Sequence, residues 1–383
     1  MTRRERLMAT LRGEAVDRPA VSFYEVGGWT PDPDDPDPFN VYNAPDWRPL
    51  LDLAEAETDL IRMCPPTLTP AADNCRDDFF RHETTLDSGS RYTRTTVAVG
   101  GRTLTSLARR DPDVATSWTL EHLLKDLDDV RAYLEIPDEA FHYDGDVAPL
   151  VARERELGDA GIVMVDVEDP ICTVASLFSM SDYTVIAMTE SRLFHALLEK
   201  HARAIHARCE QIARDFPGHL WRLVGSEYAS EPYLPPRLYE EYVVRYTGPM
   251  VTSIQRHGGF ARIHSHGRLK HILPHIAAMG ADGLDPVEPP PQGDVLLSDV
   301  RRAYGQDMVL FGNIEAADLE NLPPADFQKK VEQALREGTA GPGRGFVLMP
   351  SACPYGRTVA PETLENYKTL VRLAKAYRLR RNP

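Results

Sequence analysis

From about residue 119 onward, short apolar runs alternate with longer amphipathic segments, and this alternation limits the fold more than any other feature of the chain. The runs are GIVMVDVE (161–168), HLWRLVGS (219–226), FARIHSH (260–266), DGLDPVE (282–288), MVLFGNI (308–314) and GFVLMP (345–350). Helix-period patterns cover 119–132, 146–158, 190–215, 236–257, 267–279, 294–304, 324–338 and 361–378. Two earlier runs, AVSFYEVGG and TDLIRMC, flank a helical pattern over about 46–57. Strands joined through helices make parallel βαβ units, and eight such units close into a (β/α)8 TIM barrel with its active site at the C-terminal strand ends. The expected organisation is one barrel domain over 1–383 with a β-hairpin or meander insertion at about 76–118. That insertion is rich in Thr, Arg and Tyr, with turn signals at Asp87-Ser88-Gly89 and Gly100-Gly101. At the start, Thr2 is placed to cap a helix over 2–12 and Gly13 to end it.

Polar residues fall where the apolar runs end: Asp166 and Glu168, Ser226 and Glu227, His264 and His266, Glu288, Asn313, and Cys353 after the last run. A helix N-cap explains any one of them alone. As a ring they point to a cavity mouth. His264 and His266 stand at i and i+2, so on an extended strand both imidazoles face one side. Gly267 follows, where a strand would turn into a helix. With Cys353 the two histidines make a three-donor set suited to zinc, with a position open for substrate. A His-x-His pair by itself is more often a surface or capping pair. Tyr24 and Trp29, after the first run, are placed either as an apolar wall of the site or in the core.

Composition sets the partners. The 383 residues are 42% hydrophobic with a net charge of -15, which argues against a nucleic-acid or membrane-surface partner. Five cysteines (Cys64, Cys75, Cys172, Cys209, Cys353) are scattered without CxxC spacing, so no disulfide framework is expected. There is no secretion signal and no long apolar run, and a cytoplasmic location is expected. Arg76, Arg81, Arg91 and Arg94 make the insertion locally basic, which suits an acidic partner or an exposed hairpin face equally well.

The order of motifs resembles the uroporphyrinogen decarboxylase superfamily, which includes zinc-dependent, corrinoid-linked methyltransferases. The carriers are TRRERLMATLRGEAVDRPAVSF at the start, HSHGRLKHILPHIAAMGADGLDPVEPP, VLFGNIEAADL, and the closing APETLENYKTLVRLAKAYR. The resemblance spans nearly the whole chain. True uroporphyrinogen decarboxylases carry an arginine-rich segment after the first strand to clamp substrate carboxylates. Here that segment reads SFYEVGGW, with Glu25 and no arginine, and a glutamate repels a polycarboxylate. The methyltransferase branch holds zinc on a His-x-Cys pair and a later Cys. His264 matches the first ligand and Cys353 the last, and His266 replaces the middle one. One thiolate and two neutral imidazoles leave zinc with a single positive charge, which suits polarising a substrate oxygen.

The resemblance therefore implies a zinc-dependent methyltransferase or demethylase for a small methylated molecule, with a corrinoid on a separate partner protein. No cobalamin-binding D-x-H-x-x-G pattern is present in this chain. A homodimer is a further family expectation. His264, His266 and Cys353 would hold the metal, Glu227 would complete the site or move a proton, and Asn313 and Glu288 would orient substrate. Tyr24, Trp29, Asp166, Glu168 and Arg357 are the remaining substrate-binding candidates. A metal-independent decarboxylase or lyase is the alternative, in which Arg262, Arg268, Arg301 or Arg357 would grip a carboxylate. A third reading is a non-catalytic binding module, since fold alone does not give function.

Overall fold

In the computed structural model, which describes residues 1–379, eight parallel strands curl into a barrel. They are β1 (Ala20–Val21), β2 (Leu60–Cys64), β3 (Gly161–Glu168), β4 (Leu220–Val224), β5 (Phe260–His264), β6 (Gly283–Asp285), β7 (Val309–Ile314) and β8 (Phe346–Pro350). Each pairs with its sequence neighbour from β2 to β8, and β8 pairs with β1, the order expected of a (β/α)8 barrel. Between β1 and β2 the seam is made by one residue, through its main chain and its side chain. The Asp59 amide donates to the Val21 carbonyl at 2.7 Å, and the Val21 amide donates to the Asp59 carboxylate at 2.9 Å. Arg18 adds an ion pair to that carboxylate at 2.8 Å, and Arg6 adds another.

Helix α1 (Arg3–Arg12) closes the N-terminal end. Thr2 and Glu5 form the reciprocal capping box, and Gly13 ends the helix at φ 72°. Leu7 and Leu11 enter a cluster with Ile162, Met164, Leu220, Val309 and Val347 inside the barrel. Each such side chain contributes about 1.5–3 kcal/mol by leaving water. The rest of the core lies between the sheet and the surrounding helices.

The insertion is a four-stranded antiparallel sheet of Phe80–Asp87, Ser90–Val99, Arg102–Arg110 and Ser117–Glu121. Its turns fall on the expected residues. Ser88 and Gly89 both have positive φ, and so do Gly100 and Gly101, as two-residue hairpin turns require. The helix expected over 119–132 is corrected. Thr119 pairs with Ala108 as part of the fourth strand, and the helix runs only over Leu127–Leu134, capped by Asp126. β-forming Trp118 and Thr119 find an open strand edge, and that pairing overrides the helical period. The helix expected over 267–279 also shrinks, to Leu273–Ala278, because Gly267 takes φ 78° and Pro274 sits in the helix's first turn. No helix among the described residues is long and apolar enough to cross a membrane.

Candidate active site

The upper barrel holds a layer of charge set by strand register. Asp166 on β3 lies level with Arg222 on β4, and Arg222 level with Arg262 on β5. Arg222 pairs with Asp166 at 2.8 Å, and Arg262 pairs with Asp285 at the end of β6, Nη2 donating to Oδ2 at 2.8 Å. The ring of Tyr24 lies between the two guanidinium groups, 5.5 Å from that of Arg222 and 5.7 Å from that of Arg262. Buried charges are tolerated only when paired in this way.

Above this layer stand the two histidines. His264 ends β5, and its Nδ1–H donates to Asp285 Oδ2 at 2.7 Å, because a carboxylate can only accept. Tyr24 stacks on the same imidazole, its hydroxyl 3.4 Å from Nδ1. Burial pushes the His264 pKa down to about 3 against the opposing pull of Asp285, so the ring is neutral with Nε2 bare. His266 lies beyond the strand end, its ring centroid 4.6 Å from that of His264 and nearly perpendicular to it. Its Nδ1–H donates to Glu288 Oε1 at 2.9 Å, while the Gly267 amide donates to Oε2 at 2.7 Å. Burial works against the protonated form of His266, but the hydrogen bond and charge of Glu288 outweigh it and raise the pKa. Burial likewise opposes the Glu288 carboxylate. His266 and Gly267 overcome it and hold the carboxyl below its usual range.

Glu227 completes this group. Burial raises its pKa, His266 and Arg222 pull the other way, and Oε2 has no hydrogen-bond partner among the described residues. A buried carboxyl with a raised pKa next to an imidazole is suited to proton transfer.

Cys353 is placed differently. It belongs to the apolar cluster between sheet and helices, with Tyr42 and Tyr367 packed into the same region. Its amide faces Glu25 Oε2 at 3.4 Å. Burial, then the charge and hydrogen bond of Glu25, push the thiol pKa well above the ordinary value, so it is protonated. Among the described residues no group of three or more His, Cys, Asp or Glu side chains is arranged to hold a metal ion. As a donor set the two imidazoles fit zinc, each held by a carboxylate through Nδ1 with Nε2 left over. Cys353, a neutral thiol turned to Glu25, does not join them in this arrangement.

The other candidates are spread out. Asp166 lies in the charged layer, and Glu168 one turn of the pleat higher borders a large cavity beside the insertion. Trp29 is half-buried against the barrel cluster. Asn313 borders a small cleft with Leu297, Glu315 and Gln333. Arg357 ties loops together, donating to the Pro112 carbonyl at 2.8 Å and to Asn43 Oδ1 at 2.8 Å. Arg301 is likewise occupied by main-chain carbonyls, including that of Ala340 at 2.9 Å.

Two site residues escaped the sequence reading. Asp285 carries no local signal that separates it from its acidic neighbours Asp282 and Glu288. The three in fact diverge, since Asp282 faces Arg344 at 3.0 Å and the Ala261 amide at 3.0 Å. Arg222 was not singled out. Its signal was a lone charge inside the apolar run HLWRLVGS, at the same register as Arg262 in the next run.

With this geometry established, the family model for uroporphyrinogen decarboxylase (URO-D) matches residues 114–377. The chain belongs to the uroporphyrinogen decarboxylase family. Among solved structures, this family member superimposes on a methyltransferase from Methanosarcina mazei with a TM-score of 0.59 at 16% identity, covering 98% of each chain. That likeness shows a shared barrel fold. A Bacillus subtilis mannanase, BCman, follows with a TM-score of 0.42 at 11% identity, over 96% of this chain and 88% of its own, and carries no argument. No curated protein sequence matches.

Proposed function

We propose that the protein is an enzyme of methyl transfer or demethylation on a small methylated molecule, with a corrinoid on a separate protein as methyl acceptor. The observation that carries this reading is the histidine pair. Both imidazoles are anchored through Nδ1 by carboxylates, Asp285 at 2.7 Å and Glu288 at 2.9 Å, which leaves both Nε2 atoms for a ligand. His264 and His266 would hold a zinc ion, with Cys353 as third donor once its contact with Glu25 is given up. Zinc bound there would supply Lewis acidity toward the methyl-bearing heteroatom. Glu227 would exchange a proton beside that point, and Tyr24 with Arg222 and Arg262 would form the floor beneath the substrate.

The test is elemental analysis of protein purified without added zinc or an affinity tag, beside His264→Ala and Cys353→Ala variants. The reading expects roughly one zinc per chain, lost in the variants, and methylation of free cob(I)alamin from a panel of methoxy, methylamine and methylthio compounds. Protein that neither holds nor takes up zinc, and methylates no corrinoid, overturns it.

One observation favours a second reading, a metal-independent carboxy-lyase. The buried Glu227, its pKa raised by burial beside His266, would return a proton to the carbanion left when carbon dioxide departs. Turnover of a carboxylated substrate that survives chelation and is lost in Glu227→Gln would select it.

A further inference from the structure

A second cavity, of about 550 Å³, lies between the inserted sheet and the barrel. None of His264, His266, Glu227 or Cys353 lines it. Its inner wall comes from the long helix Ser191–Asp215 through His201, Ile205 and Arg208, and its outer wall from the insertion through Phe80, Thr95 and Leu107. The size is that of a small-molecule pocket.

Its charges make it unusual in so acidic a protein. Arg76 and Arg208 both line it, and among the described residues neither side chain has an ion-pair or hydrogen-bond partner. The Arg76 guanidinium lies 3.7 Å above the Phe80 ring centroid, an arrangement that leaves its N–H edge unoccupied. Arg208 is pushed below its ordinary pKa by burial, the mark of a cation short of compensation. Guanidinium groups withdrawn from water without a counter-charge cost stability, and an anion bound between them offsets that cost.

The charge count narrows the ligand. The one carboxylate in the lining is Glu168, at the end of β3, against two arginines. His201 is neutral, its pKa pushed by burial down to about 3, and burial also lowers that of His122. Two arginines outnumber that one carboxylate, whose pKa burial raises, so the cavity favours an anion, and a singly charged one opposes Glu168 least. Two forked guanidinium groups suit a planar carboxylate. The aromatic wall of Phe80, Phe141 and Tyr133 suits a flat apolar body.

We propose that this cavity is a binding site for a small aromatic monocarboxylate, its carboxylate held by Arg76 and Arg208 and its ring packed against Phe80, Phe141 and Tyr133. The site is separate from the histidine pair and does not depend on the reaction assigned to it.

Calorimetric titration of the full chain with benzoate, cinnamate and indole-3-acetate, beside benzamide and phenyl phosphate, decides it. At least one carboxylate is expected to bind with a Kd below about 1 mM. Benzamide and phenyl phosphate are expected to bind at least about tenfold more weakly. Arg208→Gln and Arg76→Gln are each expected to weaken the carboxylate about tenfold or more without lowering the melting temperature of the free protein, while His266→Ala leaves its affinity intact. Arg76, held only by stacking, decides the matter alone should Arg208→Gln fail to fold. No carboxylate bound below that limit, benzamide bound as tightly, phenyl phosphate bound more tightly, affinity indifferent to both arginine variants, or affinity lost in His266→Ala would each overturn the site.

Discussion

The carboxylate of Asp285 holds His264 and Arg262 at once, its Oδ2 accepting from His264 Nδ1 at 2.7 Å and from Arg262 Nη2 at 2.8 Å. One acid on β6 thereby fixes the tautomer of the histidine and neutralises the cation beneath it. All three side chains are buried.

Asp285→Asn should therefore act on both. The amide leaves Arg262 as an uncompensated buried cation, and breaking such a pair costs about 3–5 kcal/mol. Urea unfolding of the variant should show that loss. Arg262→Met combined with Asp285→Leu should recover most of it, since an apolar pair carries no stranded charge. A single variant as stable as the parent would show that the pair is not the constraint.

Asp59 makes the barrel seam, and it is fully buried. Asp59→Asn removes the charge that Arg6 and Arg18 share and leaves a weaker acceptor for the Val21 amide. A loss of about 3 kcal/mol or more is expected, read by denaturant unfolding. Faster hydrogen exchange at the β1–β2 seam than at β4–β5 should accompany it. Uniform exchange across both pairs would contradict the seam assignment.

His201 should make stability fall in mild acid. Burial lowers its folded pKa to about 3, and its Nε2 lies 3.1 Å from the Tyr133 hydroxyl. The unfolded imidazole, titrating near 6.5, takes up a proton that the folded one refuses. Its contribution is thus complete above about pH 6.5 and lost progressively as the pH falls toward the folded value, on the order of 2 kcal/mol by pH 5. His201→Gln keeps a partner for Tyr133 and does not titrate. Between pH 7 and pH 5 it should lose less stability than the parent by that amount, and equal losses would refute the assignment.

Asn366 ties the closing helix Pro361–Ala376 to the short helix Ala316–Asn321 after β7 and its exit, donating to the carbonyls of Leu319 and Leu322 at 2.9 Å each. Asn366→Ala strands two acceptors, at a cost of about 2–4 kcal/mol. Asn366→Asp should be worse, because a buried carboxylate would face two carbonyl oxygens with no N–H to offer. Thermal melts of the two variants should rank in that order, and an aspartate more stable than the alanine would rule out the donor role.

Much of the frame was legible because its signals are local. The capping box of Thr2 and Glu5, the hairpin glycines, and the apolar runs with polar residues at their ends each depend on neighbours within a few positions. So does the prediction that His264 and His266 lie side by side. The pattern failed at 119–132, where the open edge of the preceding strand, Arg102–Arg110, recruited Thr119 into the inserted sheet.

The sequence by itself determined the parallel barrel, the order of its strands and the polar residues at their ends, because periodicity and turn chemistry act over short stretches of chain. Only the tertiary structure decided which of those residues meet. Strand register set Asp166 beside Arg222 and Asp285 beside both Arg262 and His264. Burial turned Cys353 toward Glu25, away from the histidines. The insertion folded back so that Arg76 met Arg208 across a cavity. These contacts join residues tens to hundreds of positions apart, and the packing of whole elements, which no local pattern encodes, selects among them.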